Sequence, residues 1–209
     1  MDFEAKEGLF RFEWQVARNG YHLVQGVGGI RVIQAKRGPV HGYRFGKEHE
    51  GLHRRFASLD QTPEAVLEFA NEFGLLWQPY GELEPYEEGW LRSIGETKAV
   101  VAAIDEKRFD AVWNLFNSGR IKPRFSAYID PDESVPWRSR FKFVPESLMA
   151  AMWLQVADES TTGTKFKMCE FCTNWFPFGQ GTGRKVTKRF CSDRCRVARN
   201  RRLKKEASE

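Results

Sequence analysis

The sequence predicts an α+β fold: N-terminal antiparallel strands, a helical body, and a small C-terminal treble-clef finger built on four cysteines. Three observations predict it. Strand-like alternation with glycine turns fills the first 45 residues, helical periodicity runs from Leu52 to about Asp158, and every cysteine falls between Cys169 and Cys195. With 209 residues, 41% of them hydrophobic, the chain can bury a core without covalent staples.

The strands come first. Leu9 to Val16 alternates in part, and Asn19-Gly20 is a short-hairpin signal because both residues tolerate positive φ. Tyr21 to Gln25 and Ile30 to Ala35 follow as strands, separated by Gly26, Gly28 and Gly29. Gly28-Gly29 invites a phosphate-loop reading, but no helix start or lysine-serine pair follows, so a turn is expected.

The helices come next. Leu52, Phe56 and Leu59 share a face. Thr62-Pro63-Glu64 caps a helix whose apolar side is Val66, Leu67, Phe69, Ala70 and Phe73, and Gly74 stops it. A loop from Gln78 to Pro85 precedes a helical region from Tyr86 to about Asn117, divided at Gly95 or Asp105. Pro123, Pro131 and Pro136 punctuate a stretch with room for one or two short strands. Pro145-Glu146-Ser147 opens an apolar helix with Leu148, Met149, Met152, Trp153 and Val156 inward. Asp158 to Thr164, rich in Ser, Thr and Gly, reads as a linker that separates a body, residues 1–164, from a finger, residues 165–209.

The cysteine spacing is Cys169-x2-Cys172-x18-Cys191-x3-Cys195. Two close pairs supply four thiolates for one tetrahedral Zn²⁺, and a closed four-sulfur shell leaves no position for water, so the metal is structural rather than catalytic. Disulfides are the competing use. They need an oxidising compartment, whereas Met1 to Glu7 lacks the basic start and apolar stretch of a secretion signal. No apolar run approaches the ~20 residues that span a membrane. A cytoplasmic protein without a membrane partner is expected. Cys169 to Cys172 forms a knuckle, with Trp175, Phe176 and Phe178 packing over the metal. Gly179 to Gly183 makes a hairpin tip with a return limb over Lys185 to Phe190. Ser192 or Asp193 then caps a helix that carries Cys195.

Charge divides along the same boundary. Residues 165–209 hold 13 Lys/Arg against 4 Asp/Glu, a net of +9, and the body nets −4. Four thiolates with one Zn²⁺ lower the finger to near +7. Lys185, Lys188 and Arg189 precede the last helix; Arg194, Arg196, Arg199, Arg201, Arg202, Lys204 and Lys205 lie on it. Such a helix suits nucleic-acid phosphates, DNA first, with zinc ordering the finger and the body sensing a ligand or mediating association. Two other readings stand beside it: docking on an acidic protein partner, and a solvated helix kept soluble by charge.

The finger also carries a family resemblance. Its Cys-x2-Cys knuckle, aromatic pair, basic loop and Phe190-Cys191-Ser192-Asp193-Arg194-Cys195-Arg196 resemble the C-terminal zinc finger of the bacterial CGNR family. The helix Ser147 to Gln155 is similar to the one leading into that finger. The resemblance implies a bacterial transcription regulator with a mostly helical N-terminal domain. Arg196-Val197-Ala198 stands where the family has Gly-Asn-Arg.

One rival site competes. His49-Glu50-Gly51-Leu52-His53 fits His-Glu-x-x-His, in which two histidines on one helical face bind zinc and the glutamate activates water. Lys47, Arg54 and Arg55 crowd it, Gly51 weakens a helix there, and Glu68, Glu72 and Glu82 are third-ligand candidates in no familiar arrangement. Asp130 to Glu133 reads as a solvated proline turn. Glu82, Glu84, Glu87 and Glu88 read as a helix start with an exposed face. His22 and His41 lack neighbouring ligands, and no enzyme activity is expected.

Overall fold

Two broken strands form one bent antiparallel ribbon at the start of the computed structural model, which describes residues 13–46, 49–77, 83–117, 124–131, 139–179 and 181–207. β2 (Tyr21–Gln25) pairs with β3 (Arg31–Ala35) around a tight turn at Val27–Gly29. β1 (Glu13–Ala17) pairs with β4 (Val40–Arg44), and the register shifts by one residue between the two halves. Arg18 N–H to Pro39 O and Lys36 N–H to Gly20 O, both 2.9 Å, carry the ribbon through the break.

Asn19-Gly20 therefore turns the chain without closing β1 onto β2, which corrects the hairpin expectation. The Gly20 N–H bonds Ala17 O at 2.9 Å and φ is +75°. A Cβ there would lie 2.4 Å from Asn71 Oδ1, the atom that accepts the Tyr21 N–H. Glycine is needed for both reasons. The Gly26–Gly29 turn forms as expected. Residues 9–12, Lys47, Glu82, Pro123, Asp132, Glu133 and Pro136 lie outside the described residues.

α1 (Leu52–Ala57) is short. α2 (Pro63–Phe73) begins where its chemistry says: Thr62 Oγ1 accepts the Ala65 N–H at 3.3 Å, Pro63 fills the first helical position, and Gly74 at φ +89° ends it. Its buried side, Val66, Phe69, Ala70 and Phe73, lies against the ribbon. A π-helical turn at Tyr86–Leu91 leads into α3 (Arg92–Asp105), and α4 (Phe109–Asn117) follows a break at Glu106 to Arg108. The division thus falls at Asp105, and Gly95 stays inside α3. β6 (Phe125–Pro131) and β7 (Ser139–Pro145) pair antiparallel.

Apolar burial holds this body together. Phe56, Phe69 and Trp90 interlock with ring centroids 5.2 and 6.2 Å apart, and all three are buried. Each such ring contributes about 2–3 kcal/mol of transfer free energy. Trp14 adds a polar tie by donating its indole N–H to Leu75 O at 2.9 Å.

Two expectations about acidic and linker segments need correction. Glu84, in the two-residue strand β5 (Glu84–Pro85) paired with β3, is 2% exposed. Its carboxylate accepts the N–H groups of Leu76 (2.9 Å) and Trp77 (2.5 Å), so it caps a buried loop instead of facing solvent. α5 (Leu148–Thr162), capped by Ser147, runs through most of the supposed linker. Only Gly163, in the left-handed region at φ +67°, and Thr164 separate it from the next strand. The Ser/Thr side chains that suggested a linker bond back to helix carbonyls, as Thr161 and Thr162 do to Asp158 O. No helix among the described residues is long and apolar enough to cross a membrane.

Candidate metal centre and basic helix

β8 (Lys165–Met168) and β9 (Trp175–Phe178) form an antiparallel hairpin whose turn is the knuckle. Two backbone bonds close that turn, Cys169 N–H to Asn174 O at 2.9 Å and Thr173 N–H to Cys169 O at 3.1 Å. A single bridge, Gly179 with Arg184, follows. The return limb expected over Lys185 to Phe190 is irregular chain and not a strand. α6 (Asp193–Glu206) starts as predicted, with Ser192 accepting the Cys195 N–H at 3.3 Å.

This framework brings the sulfurs of Cys169, Cys172, Cys191 and Cys195 within 4.8 Å of one another. The Cys172–Cys191 and Cys191–Cys195 sulfurs are 3.5 Å apart. A disulfide needs about 2.0 Å, and the four are free thiols. Sulfurs about 2.3 Å from a shared tetrahedral ion would stand about 3.8 Å from each other. The cluster matches that spacing, so it could hold a metal ion.

The backbone prepares one of the four for ionisation. Burial opposes a thiolate at Cys169, yet N–H groups of Cys172, Cys191 and Phe171 outweigh it and hold the thiol down at about 7. Burial pushes Cys172 and Cys191 up. Four anionic sulfurs this close need a cation between them.

The finger is not tethered loosely. Phe166 and Trp175 pack on α1, with the Arg54 guanidinium 5.6 Å from the first ring and 5.4 Å from the second. Trp175 thus packs against the body through Arg54 and Gly51. The other face of the hairpin holds Phe176 and Phe178 under Lys167 Nζ, 5.7 and 4.7 Å from their centroids. Arg184 binds Glu50 at 2.5 Å, and Arg55 reaches Asn174 of the knuckle at 3.2 Å. Gly51 makes this approach possible. A Cβ there would lie 2.8 Å from the Trp175 Cβ, at φ +77°.

Beneath those rings lies a charged cluster that the sequence reading missed. Glu159 is 2% exposed, His53 0% and Arg54 5%. The Glu159 carboxylate takes His53 Nε2 at 2.6 Å and Arg54 Nε at 3.0 Å, and Arg54 also holds Asp105 at 2.6 Å. Burial would raise the Glu159 carboxyl, but hydrogen bonds from His53 and Arg54 keep it below the usual glutamate range. A signal was present: Glu159 continues the inward stripe Met152–Val156 at helical spacing.

The same cluster dissolves the His-Glu-x-x-His arrangement. Gly51 sits in the left-handed region as the N-cap of α1, so His49 and His53 do not share a helical turn. His49 Nδ1 accepts the Gly46 N–H at 2.9 Å, Glu50 pairs with Arg184, and His53 is committed to Glu159. The only group of metal-ligating side chains among the described residues is the four cysteines.

The predicted basic residues are all on the finger surface, but they differ in engagement. Arg189 grips Glu170 through two bonds of 2.6 and 2.5 Å. Arg196 pairs with Asp193 at 3.1 Å and Arg202 with Glu206 at 2.7 Å. Arg194, Arg199 and Arg201 make no ion pair within 4.0 Å among the described residues. Lys204 and Lys205 lie in the last turn, where cations complement the helix dipole. Lys185 and Lys188 border the irregular loop. No residue of α6 is buried. No family model matches the chain, and no curated protein or solved structure gives a significant match.

Proposed function

We propose that this protein binds nucleic acid, DNA foremost, through α6, with Zn²⁺ as the structural ion in the four-cysteine cluster, and that it serves in transcription regulation. One observation carries the reading. No residue of α6 is fully buried, yet the helix is held at its base by the cysteine cluster and carries seven Lys/Arg against Asp193 and Glu206. A helix without a fully buried residue needs another reason to be fixed in place. At 3.6 residues per turn the seven cations surround the helix and form no single stripe, which suits a site flanked by phosphates on more than one side. Zn²⁺ is the ion that four thiolates suit best. The resemblance of the finger to the CGNR type points the same way.

A salt-titrated binding assay on the metal-loaded chain tests this. Arg199→Ala with Arg202→Ala should weaken binding and reduce the slope of log K against log salt by about 2. Unchanged affinity and slope would sink the proposal. Capture of an acidic protein that survives nuclease treatment and requires Cys191 would favour a protein partner instead.

A further inference from the structure

Between the irregular loop and the first turn of α6 lies a cleft of about 340 Å³. Lys188, Arg189, Phe190, Ser192, Asp193 and Arg196 line it. Its size falls at the lower end of small-molecule sites, and a bare phosphate would fill only part of it.

The lining is chemically mixed, and that mixture narrows the ligand. Arg189 is already held by Glu170, with its guanidinium carbon 5.9 Å from the Phe190 centroid. Lys188 makes no ion pair among the described residues. Arg196 has only an exposed partner in Asp193 at 3.1 Å, a weak attachment that a phosphate can replace. A bare anion would leave the aromatic wall unused. An apolar ligand would leave Lys188 and Arg196 unused.

A nucleotide uses both. We propose that this cleft receives one unstacked nucleotide of a single strand, with its base against Phe190 and its phosphate on Lys188 and Arg196. The inference rests on the nucleic-acid reading above and makes it more specific. In an intact duplex both faces of a base are covered by neighbours, so only a single strand, loop or frayed end can offer a free face to the ring. The feature is shared by DNA and RNA.

Fluorescence anisotropy with the full metal-loaded chain tests it, using oligothymidine, oligouridine and a DNA duplex of equal length. Phe190→Leu should weaken both single strands by about tenfold or more and leave the duplex within about twofold. Phe190→Trp should retain single-strand binding, and Lys188→Ala and Arg196→Ala should weaken single strand and duplex alike. If Phe190→Leu leaves single-strand binding unchanged, or weakens all three ligands equally, the cleft proposal is overturned while the reading of α6 survives. A wild-type chain that binds none of the three overturns both. Phe190 adjoins Cys191, so metal content is measured in each variant. If Phe190→Leu fails to load metal, photocrosslinking of an iodouridine strand to the wild type decides. Adducts at Lys188 to Arg196 support the site, and adducts confined to other segments overturn it.

Discussion

The body and the finger of this chain are held together by different physics. In the body, Trp90, Phe56, Phe69, Ile94, Leu148 and Met152 are buried in one continuous cluster. In the finger, Cys169, Phe176 and Pro177 are the buried apolar side chains among the described residues, and α6 contributes none. A body of this kind folds on apolar area, whereas so small a module needs an ion to close it. The contrast teaches that chelation and core substitution should act on separate halves. Their join, Arg54 beneath Phe166 and Trp175, is where the two effects meet.

The sharpest way to break the comparison is to remove the metal. Structural zinc supplies on the order of 10 kcal/mol of folding free energy at neutral pH. Chelation, or Cys169→Ser, should abolish amide protection from Phe166 through α6 while α2 and α3 stay protected in hydrogen exchange. Cooperative loss of the whole chain would show that the body has no independent core.

Next in size is Glu159. Glu159→Ala leaves the buried Arg54 with Asp105 as its one remaining ion-pair partner and removes the buried hydrogen-bond partner of His53, at a cost of about 3 kcal/mol. Thermal melting should show the loss in the body. The acid response should follow the same residue. Its carboxyl is held below the unfolded value, so its contribution is present above about pH 4.5 and disappears as pH falls through the lower folded value. In Glu159→Gln that limb of the stability curve should flatten; an unchanged acid limb would assign acid sensitivity elsewhere.

Gly51→Ala probes the join. The added Cβ meets Trp175 at a positive φ, and a cost of about 1–2 kcal/mol should fall on docking of the hairpin. Exchange at Phe166 to Trp175 should quicken with metal content unchanged. The smallest effect belongs to Ser192→Ala, about 1 kcal/mol of capping, seen as fraying of α6 by circular dichroism.

What the sequence reveals here is what short-range chemistry decides. Thr62-Pro63, Ser147 and Ser192 start helices because their hydroxyls accept N–H groups three residues on. Gly74 stops one by its backbone, and the cysteine spacing was enough to foresee a shared cluster. What stayed hidden depends on partners far along the chain. Asn19-Gly20 has the composition of a hairpin turn, but pairing of β1 with β4 overrides it. Glu84 looks solvent-facing until the Leu76 and Trp77 N–H groups are placed beside it. Nothing near Trp175 in the sequence announces its contact with Arg54, which arrives on α1.

The two-residue connection at Gly163-Thr164 has a kinetic consequence. Two extended residues reach at most about 7 Å. A hairpin released from α1 therefore cannot wander, and its effective concentration at the docking face stays in the range that short linkers give, millimolar or above. Redocking becomes a local, concentration-independent event.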